Sequence, residues 1–298
     1  MVPYANSISC SELMDLAGTP DCPAIMDVRR RTVFDEANTL IASAVWRDHM
    51  QALQWVKDLP AGRPIVLYCM HGHQVSQAPA AILRAAGYDA RYLAGGIADY
   101  EAAGGLLLHK SGLSRHDWST PTRWVTRERP KIDRIACPWL IRRFVDPFAR
   151  IHFVSPDMVR DTAQEIDAIA FDIPDVEFTH DGNRCSFDMF IKRFGLAHPA
   201  LDTLADVVRG ADTGDFSTVA QAAGLAALSF GLSALYARDE DAVSAGAGLY
   251  DALYAWTRHA RAETHSWQPK PAASGAFRWR KPAMFPFPMR CVSGGTLA

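Results

Sequence analysis

Apolar residues fall along this chain in two rhythms. In residues 1–108, short apolar runs alternate with helical stretches. Ala24 to Val28 (AIMDV) is one such run, closed by Arg29, and Pro64 to Tyr68 (PIVLY) is a second. Both have the continuous apolar character of strands buried on two faces. A helix-like segment, Gln77 to Ala86, ends at Gly87; Asp89 to Leu93 (DARYL) is a third strand candidate, followed by Ala94-Gly95-Gly96. Strand, helix, strand and glycine-rich turn predict an α/β domain with a parallel sheet flanked by helices. From about His109 to Arg129 the rhythm is lost and Pro121 interrupts the chain, which predicts a linker over 109–129, docked through Trp118 and Trp124.

Residues 130–265 predict a mostly helical α+β domain. Helices are expected over Ile135 to Phe144, Ser186 to Phe194 (closed by Gly195), Leu201 to Arg209, Thr218 to Ala237 and Ala242 to Ala262. Strands are expected at Ile151 to Val154, Ala168 to Ile173 and Val176 to His180. The stretch 266–298 holds five prolines and several aromatics with no period, and reads as a tail.

Composition narrows the class. The 298 residues are 49% hydrophobic and 21% charged, with a formal net charge of −2. This is ordinary globular usage and excludes whole-chain disorder, collagen or coiled coil. A near-neutral chain is not built globally to wrap nucleic acid, and no stretch approaches the roughly 18 apolar residues of a membrane span. The first residues lack a basic start and an apolar core of signal-peptide length. The six cysteines are far apart and form no Cys-x-x-Cys pair. The expectation is a cytoplasmic protein with reduced thiols.

The first chemical site lies at the end of the second apolar run. Cys69 follows it directly, and Met70, His71, Gly72, His73, Gln74 and Val75 lead into a helix. A strand, a tight loop and a helix N-terminus favour an anion, because loop amides and the helix dipole present positive charge there. Gly72 permits a positive φ, and two protonated histidines would add to the stabilisation of a thiolate.

On these residues the segment 12–105 resembles a rhodanese, a single-domain sulfurtransferase. Cys69 and Gly72 match the family's Cys-x-x-Gly-x-Arg loop, Tyr92-Leu93-Ala94-Gly95-Gly96-Ile97 its later strand and turn, and Asp27-Val28-Arg29 its early strand end. The resemblance implies that Cys69 attacks a small sulfane-sulfur donor, carries a persulfide and passes the sulfur to a thiol acceptor, with no cofactor in this domain. Two departures stand out. Gln74 occupies the arginine position, and a Gly-His-Ile-Pro-Gly-Ala stretch appears as Thr39-Leu40-Ile41-Ala42-Ser43-Ala44. Gln cannot pair with a dianionic donor such as thiosulfate as a guanidinium does. Val75 at the arginine position of a Cys-x5-Arg loop argues against phosphoryl chemistry.

A second site is suggested further on. Residues 123–150 hold eight Lys or Arg against three acids, a local anion attractor in a near-neutral chain. Arg134, Arg142 and Arg143 are the candidate oxyanion ligands. Residues 130–215 resemble the C-terminal domain of the chromate-resistance protein ChrB family. The resemblance rests on Pro130 to Phe144 (PKIDRIACPWLIRRF), Val176 to His180, Cys185 to Asp188 and Phe194-Gly195-Leu196. A rhodanese followed by such a domain looks like the sulfurtransferase/chromate resistance proteins. Glu177, His180 and Asp212 are candidate ligands for a divalent iron, manganese or zinc ion, and Cys137 and Cys185 are candidate redox thiols.

The function expected is a persulfide carrier coupled to a chromate- or oxidative-stress domain that binds chromate, another oxyanion or a metal. The alternatives are a chromate-responsive transcriptional regulator and a non-catalytic rhodanese-like adaptor. No helix-turn-helix signal occurs in residues 1–108, so nucleic acid is not the expected partner.

Overall fold

The apolar runs of the first hundred residues become strands of one parallel sheet in a computed structural model, which describes residues 6–263. The elements are β1 (Ser7–Ile8), α1 (Cys10–Leu16), β2 (Ala24–Asp27), α2 (Arg31–Glu36), β3 (Thr39–Ile41), β4 (Val45–Trp46), α3 (Ala52–Trp55), β5 (Ile65–Tyr68), α4 (Gln74–Ala85), β6 (Ala90–Leu93), α5 (Gly96–Ala102) and β7 (Leu107–His109). The sheet order is β1-β6-β5-β2-β4, parallel throughout. Every residue of β2 and β5 is buried, as central strands covered on both faces require. β3 and β7 pair antiparallel in a separate ribbon that the sequence pattern did not announce.

The end of β2 is tied to β5 by a buried polar knot. Arg29 grips the Asp27 carboxylate through Nε and Nη2 and donates also to the Thr39 carbonyl at 3.0 Å. Tyr68 donates its hydroxyl to Asp27 at 2.7 Å and accepts the Ile41 amide at 3.2 Å. A buried charge kept in this way needs all of its partners.

The second half contains β8 (Arg123–Arg127), α6 (Asp133–Leu140), β9 (Arg150–Val154), α7 (Val159–Glu165), β10 (Ile169–Ala170), α8 (Ser186–Phe194), α9 (Pro199–Thr213), α10 (Gln221–Leu235) and α11 (Asp239–Ala255). Its small parallel sheet has the order β10-β8-β9 and the rest is helical.

Three expectations need correction. The 109–129 stretch is not simply a linker, because its last residues form β8, the central strand of this sheet. Trp118 and Trp124 are buried in the core as docking residues should be. Val176 to His180 forms no strand: Phe178 makes only an isolated bridge to Phe171. Its apparent alternation comes from one aromatic ring packed on Trp124 and Phe190, not from a pleated pair. The helix expected to end at Arg209 runs on to Thr213 and caps at Gly214 with φ 73°, so Asp212 lies in the last turn of α9.

The two halves share one continuous core. Ser43 donates its amide to the Phe144 carbonyl at 2.7 Å, and Trp46 to that of Trp118 at 2.8 Å. Gly18 faces the Phe144 ring so closely that a Cβ there would lie 2.2 Å from it. The expected 266–298 tail and Cys291 lie outside the described residues.

Candidate functional site

Cys69 is the first residue beyond β5 and is 5% exposed. The loop above it returns into α4, whose N-cap is His73. Ser76, in the first turn of α4, donates its hydroxyl to Cys69 Sγ at 3.3 Å, and the thiol faces the His73 carbonyl at 3.9 Å. Gln77 donates to the Gly72 carbonyl at 2.8 Å and ties the loop to the helix.

The other wall of the loop is the Gly95-Gly96 turn. Ile97 and Ala98 donate their amides to the carbonyls of Cys69 and Met70 at 3.0 and 3.1 Å. Gly72 has φ 69°, and a Cβ on it would lie 2.5 Å from the Leu93 carbonyl oxygen. Glycine is required here both for its dihedral and for the backbone approach. His71, His73 and Gln74 are exposed, Val75 and Met70 partly so. The two imidazole rings stand 6.0 Å apart at the loop's outer rim. The cradle therefore presents a thiol at the base of a narrow loop, above the positive end of a twelve-residue helix.

A second constellation forms where α6, α8 and α9 meet. Asp133 opens α6 and is 1% exposed. The preceding Ile132 has φ 37° and ψ −95°, an expensive backbone for a β-branched residue. Ser229 of α10 accepts the Ile132 amide at 2.6 Å, and Tyr250 of α11 donates to its carbonyl at 3.1 Å. These two bonds hold the strained turn and so aim Asp133. Asp172, also at positive φ (53°), accepts the Ser186 hydroxyl at 2.9 Å and Arg127 at 2.9 Å, with Arg134 Nε 3.2 Å away.

His180 Nε2 faces three carboxylates: Asp212 at 3.2 Å, Asp172 at 3.5 Å and Asp133 at 3.6 Å. Hydrogen bonds to Asp172 and Asp212 push the His180 imidazolium up to about 10. Burial, then the charges of Asp212 and Asp172, push the Asp133 carboxyl well above the usual carboxylate range. Burial acts to raise Asp172 too, but hydrogen bonds from His180, Ser186 and Arg127 prevail and hold it low. Beside them opens a cavity of about 500 Å³, bordered by Arg127, Lys131, Arg134, His180 and Asp212.

The expected ligands are brought together only in part. His180 and Asp212 converge. Glu177 does not, because the turn that buries Phe178 points Glu177 outward, where it pairs with Arg193 at 3.3 Å. Asp133 takes its place; in the sequence it was one of only three acids in the basic stretch 123–150. The three candidate arginines also part company. Arg134 borders the cavity, Arg143 clamps Asp251 with bonds of 2.9 and 2.7 Å, and Arg142 is exposed.

Cys137 and Cys185 are fully buried. Burial, then the charge of Asp133, pushes both thiols well above the usual cysteine range. An oxidant has no surface to attack there, and Cys185 instead caps α8 in a capping box with Asp188, so neither has the exposure of a redox thiol. The five described cysteines are all free thiols.

Topology and site define two joined modules: a parallel-sheet α/β module with a cysteine at a strand end, and a helical module built round an Asp/His cluster. Family models match both: a rhodanese-like domain over residues 9–103 and a ChrB C-terminal domain over residues 124–257. Protein ChrB of Cupriavidus metallidurans is 35% identical over 133 residues, which are 44% of this chain and 40% of that protein. The chain thus matches well under half the length of that relative.

Among solved structures, a rhodanese-related protein from Thermoplasma volcanium is 22% identical and aligns with 34% of this chain and 96% of its own, at a TM-score of 0.30. A rhodanese homolog from Thermus thermophilus is 30% identical over 30% of this chain and 95% of its own, at 0.25.

Proposed function

We propose that this protein is a sulfurtransferase of the chromate-resistance type, working in the cytoplasm, in which Cys69 carries sulfane sulfur as a persulfide. The observation that carries this reading is the seat of Cys69: a nearly covered thiol between the α4 N-terminus and the Gly95-Gly96 turn, contacted by the Ser76 hydroxyl. The Cys69 thiolate attacks the outer sulfur of a donor. A Cys69 S–S bond forms, the donor's bond to that sulfur breaks, and the leaving thiolate or sulfite keeps the electron pair. An acceptor thiolate then attacks the outer sulfur and releases the Cys69 thiolate. The narrow loop favours donors that offer a thin terminal sulfur. With exposed Gln74 at the arginine position, it favours persulfides over thiosulfate.

Intact mass after incubation with a persulfide, and separately with thiosulfate, tests this. The expected result is a gain of one sulfur from the persulfide that Cys69→Ser abolishes. No gain from either donor refutes the reading.

For the second half we read an anion-attracting cavity as the place where chromate or a similar oxyanion is met. Its cations are Arg127, Lys131 and Arg134 rather than Arg142 and Arg143; both of its arginines also pair with Asp172, which lines the cavity with Asp212. Tetrahedral oxyanions suit charged hydrogen bonds from such groups. Calorimetric titration with chromate checks it: Lys131→Gln with Arg134→Gln should weaken binding, and unchanged affinity overturns it.

A further inference from the structure

We infer that Asp133, His180 and Asp212 form a binding site for one divalent cation of the manganese or iron class. The inference deepens the reading of the second half and uses no property of Cys69.

The first argument is convergence. An imidazole Nε2 carries one hydrogen and can serve one carboxylate well. Here three carboxylates lie 3.2–3.6 Å from the same nitrogen. Asp172 is already satisfied by Arg127, Arg134 and Ser186. Asp133 and Asp212 are left to share His180 alone among the ion pairs.

The second argument is an orphan atom. Asp133 Oδ2 accepts the Ser186 amide at 2.6 Å, while Oδ1 is buried with no hydrogen-bond partner. A buried carboxylate oxygen without a partner has lost its water and gained no hydrogen bond in return, which is costly. The oxygen that faces His180 at 3.6 Å is Oδ2, so the orphan is the other oxygen of the same carboxylate.

The third argument is spacing. One donor atom from each of Asp133, His180 and Asp212 lies within 4.8 Å of the others. Donors about 2.1 Å from a common ion stand about 3.0–3.4 Å apart in octahedral or tetrahedral geometry. The observed 3.2 Å from His180 to Asp212 and 3.6 Å to Asp133 need only small adjustments. A divalent ion also closes the charge count, since it neutralises two carboxylates and takes the lone pair of a neutral His180. Two carboxylates and one imidazole suit manganese or iron better than a thiol-preferring ion. His180 and Asp212 border the cavity, from which water or an anion drawn by Lys131 would reach a bound ion.

The test is equilibrium dialysis of the full chain against Mn²⁺ after chelator treatment, with elemental analysis. The expected result is one ion per chain, with affinity reduced at least tenfold in Asp212→Asn and in His180→Gln and unchanged in Cys69→Ser. Both substituted side chains reach the surface, and circular dichroism confirms that the variants fold. Should either variant not fold, Mn²⁺ must still raise the melting temperature of the wild type, and above Kd the rise must follow the logarithm of its concentration. Substoichiometric binding by the wild type, or equal binding by both folded variants, overturns the site. A failure here leaves sulfur loading at Cys69 untouched, so the two readings fail separately.

Discussion

Gly96 and Gly72 meet backbone to backbone beneath the Cys69 loop: a Cβ on Gly96 would lie 2.6 Å from the Gly72 nitrogen and 2.4 Å from the Cys69 carbonyl oxygen. Gly96 also has φ 64°. Neither neighbour can give way, because both are main chain. Gly96→Ala is therefore expected to cost about 1–3 kcal/mol and to slow sulfur loading, by lifting the loop off the turn that shapes it. Urea unfolding midpoints together with the rate of persulfide formation check this. An unchanged midpoint would show that the turn does not constrain the loop.

Gln74 stands exposed at the first helical position of α4, where a longer side chain has room. Gln74→Arg should restore a cationic hand for dianionic donors. Loading from thiosulfate should rise while loading from a neutral persulfide changes little, and stability should stay within about 0.5 kcal/mol. Parallel mass time courses with the two donors give the comparison, and the donor ratio is the quantity that must move.

The Asp133 turn is held from outside. Ser229 accepts the Ile132 amide and Tyr250 donates to the Ile132 carbonyl, so a backbone at φ 37° persists. Ser229→Ala leaves that buried amide unpaired and should destabilise the chain by about 1–3 kcal/mol. If the turn relaxes, Asp133 loses its aim, so Mn²⁺ affinity should fall along with stability. A loss of stability without loss of affinity would separate the turn from the site.

How far these features were legible follows from their range. Cys69, Gly72 and the strand before them were readable because they are contiguous and the chemistry of a strand-to-helix loop is local. His180 and Asp212 were singled out by residue type. Their partner was misassigned because Glu177 is near in sequence while Asp133 is near in space, and only the turn around Phe178 decides which one faces in. Strand β8 was missed for a related reason. Its two charged ends, Arg123 and Arg127, hide three buried residues between them, and its pairing partners begin 27 residues or more downstream. The burial of Cys137 and Cys185 could not be read from spacing, since it depends on α6, α8 and α11 closing over them.

Two histidines predict how stability varies with pH. His116 Nδ1 accepts the Trp118 amide at 3.0 Å, and His198 Nδ1 accepts the Ala200 amide at 3.1 Å at the N-cap of α9. Both bonds require an unprotonated Nδ1. Burial lowers the pKa of His116, outweighing Asp117, and burial followed by the charge of Arg258 lowers that of His198. In each case the unfolded chain takes up a proton at a pH where the folded chain does not. Their contribution is therefore complete above the unfolded value of about 6.5 and is lost as pH falls below it. The share of the melting temperature that these two bonds supply should decline between about pH 7 and pH 5.5, opposed by His180 and Asp133, whose raised pKa values favour the folded chain as pH falls. His198→Asn keeps a capping acceptor without a titrating ring, and with His116→Asn it should flatten that decline. A slope unchanged in the double variant would assign the pH dependence to other groups.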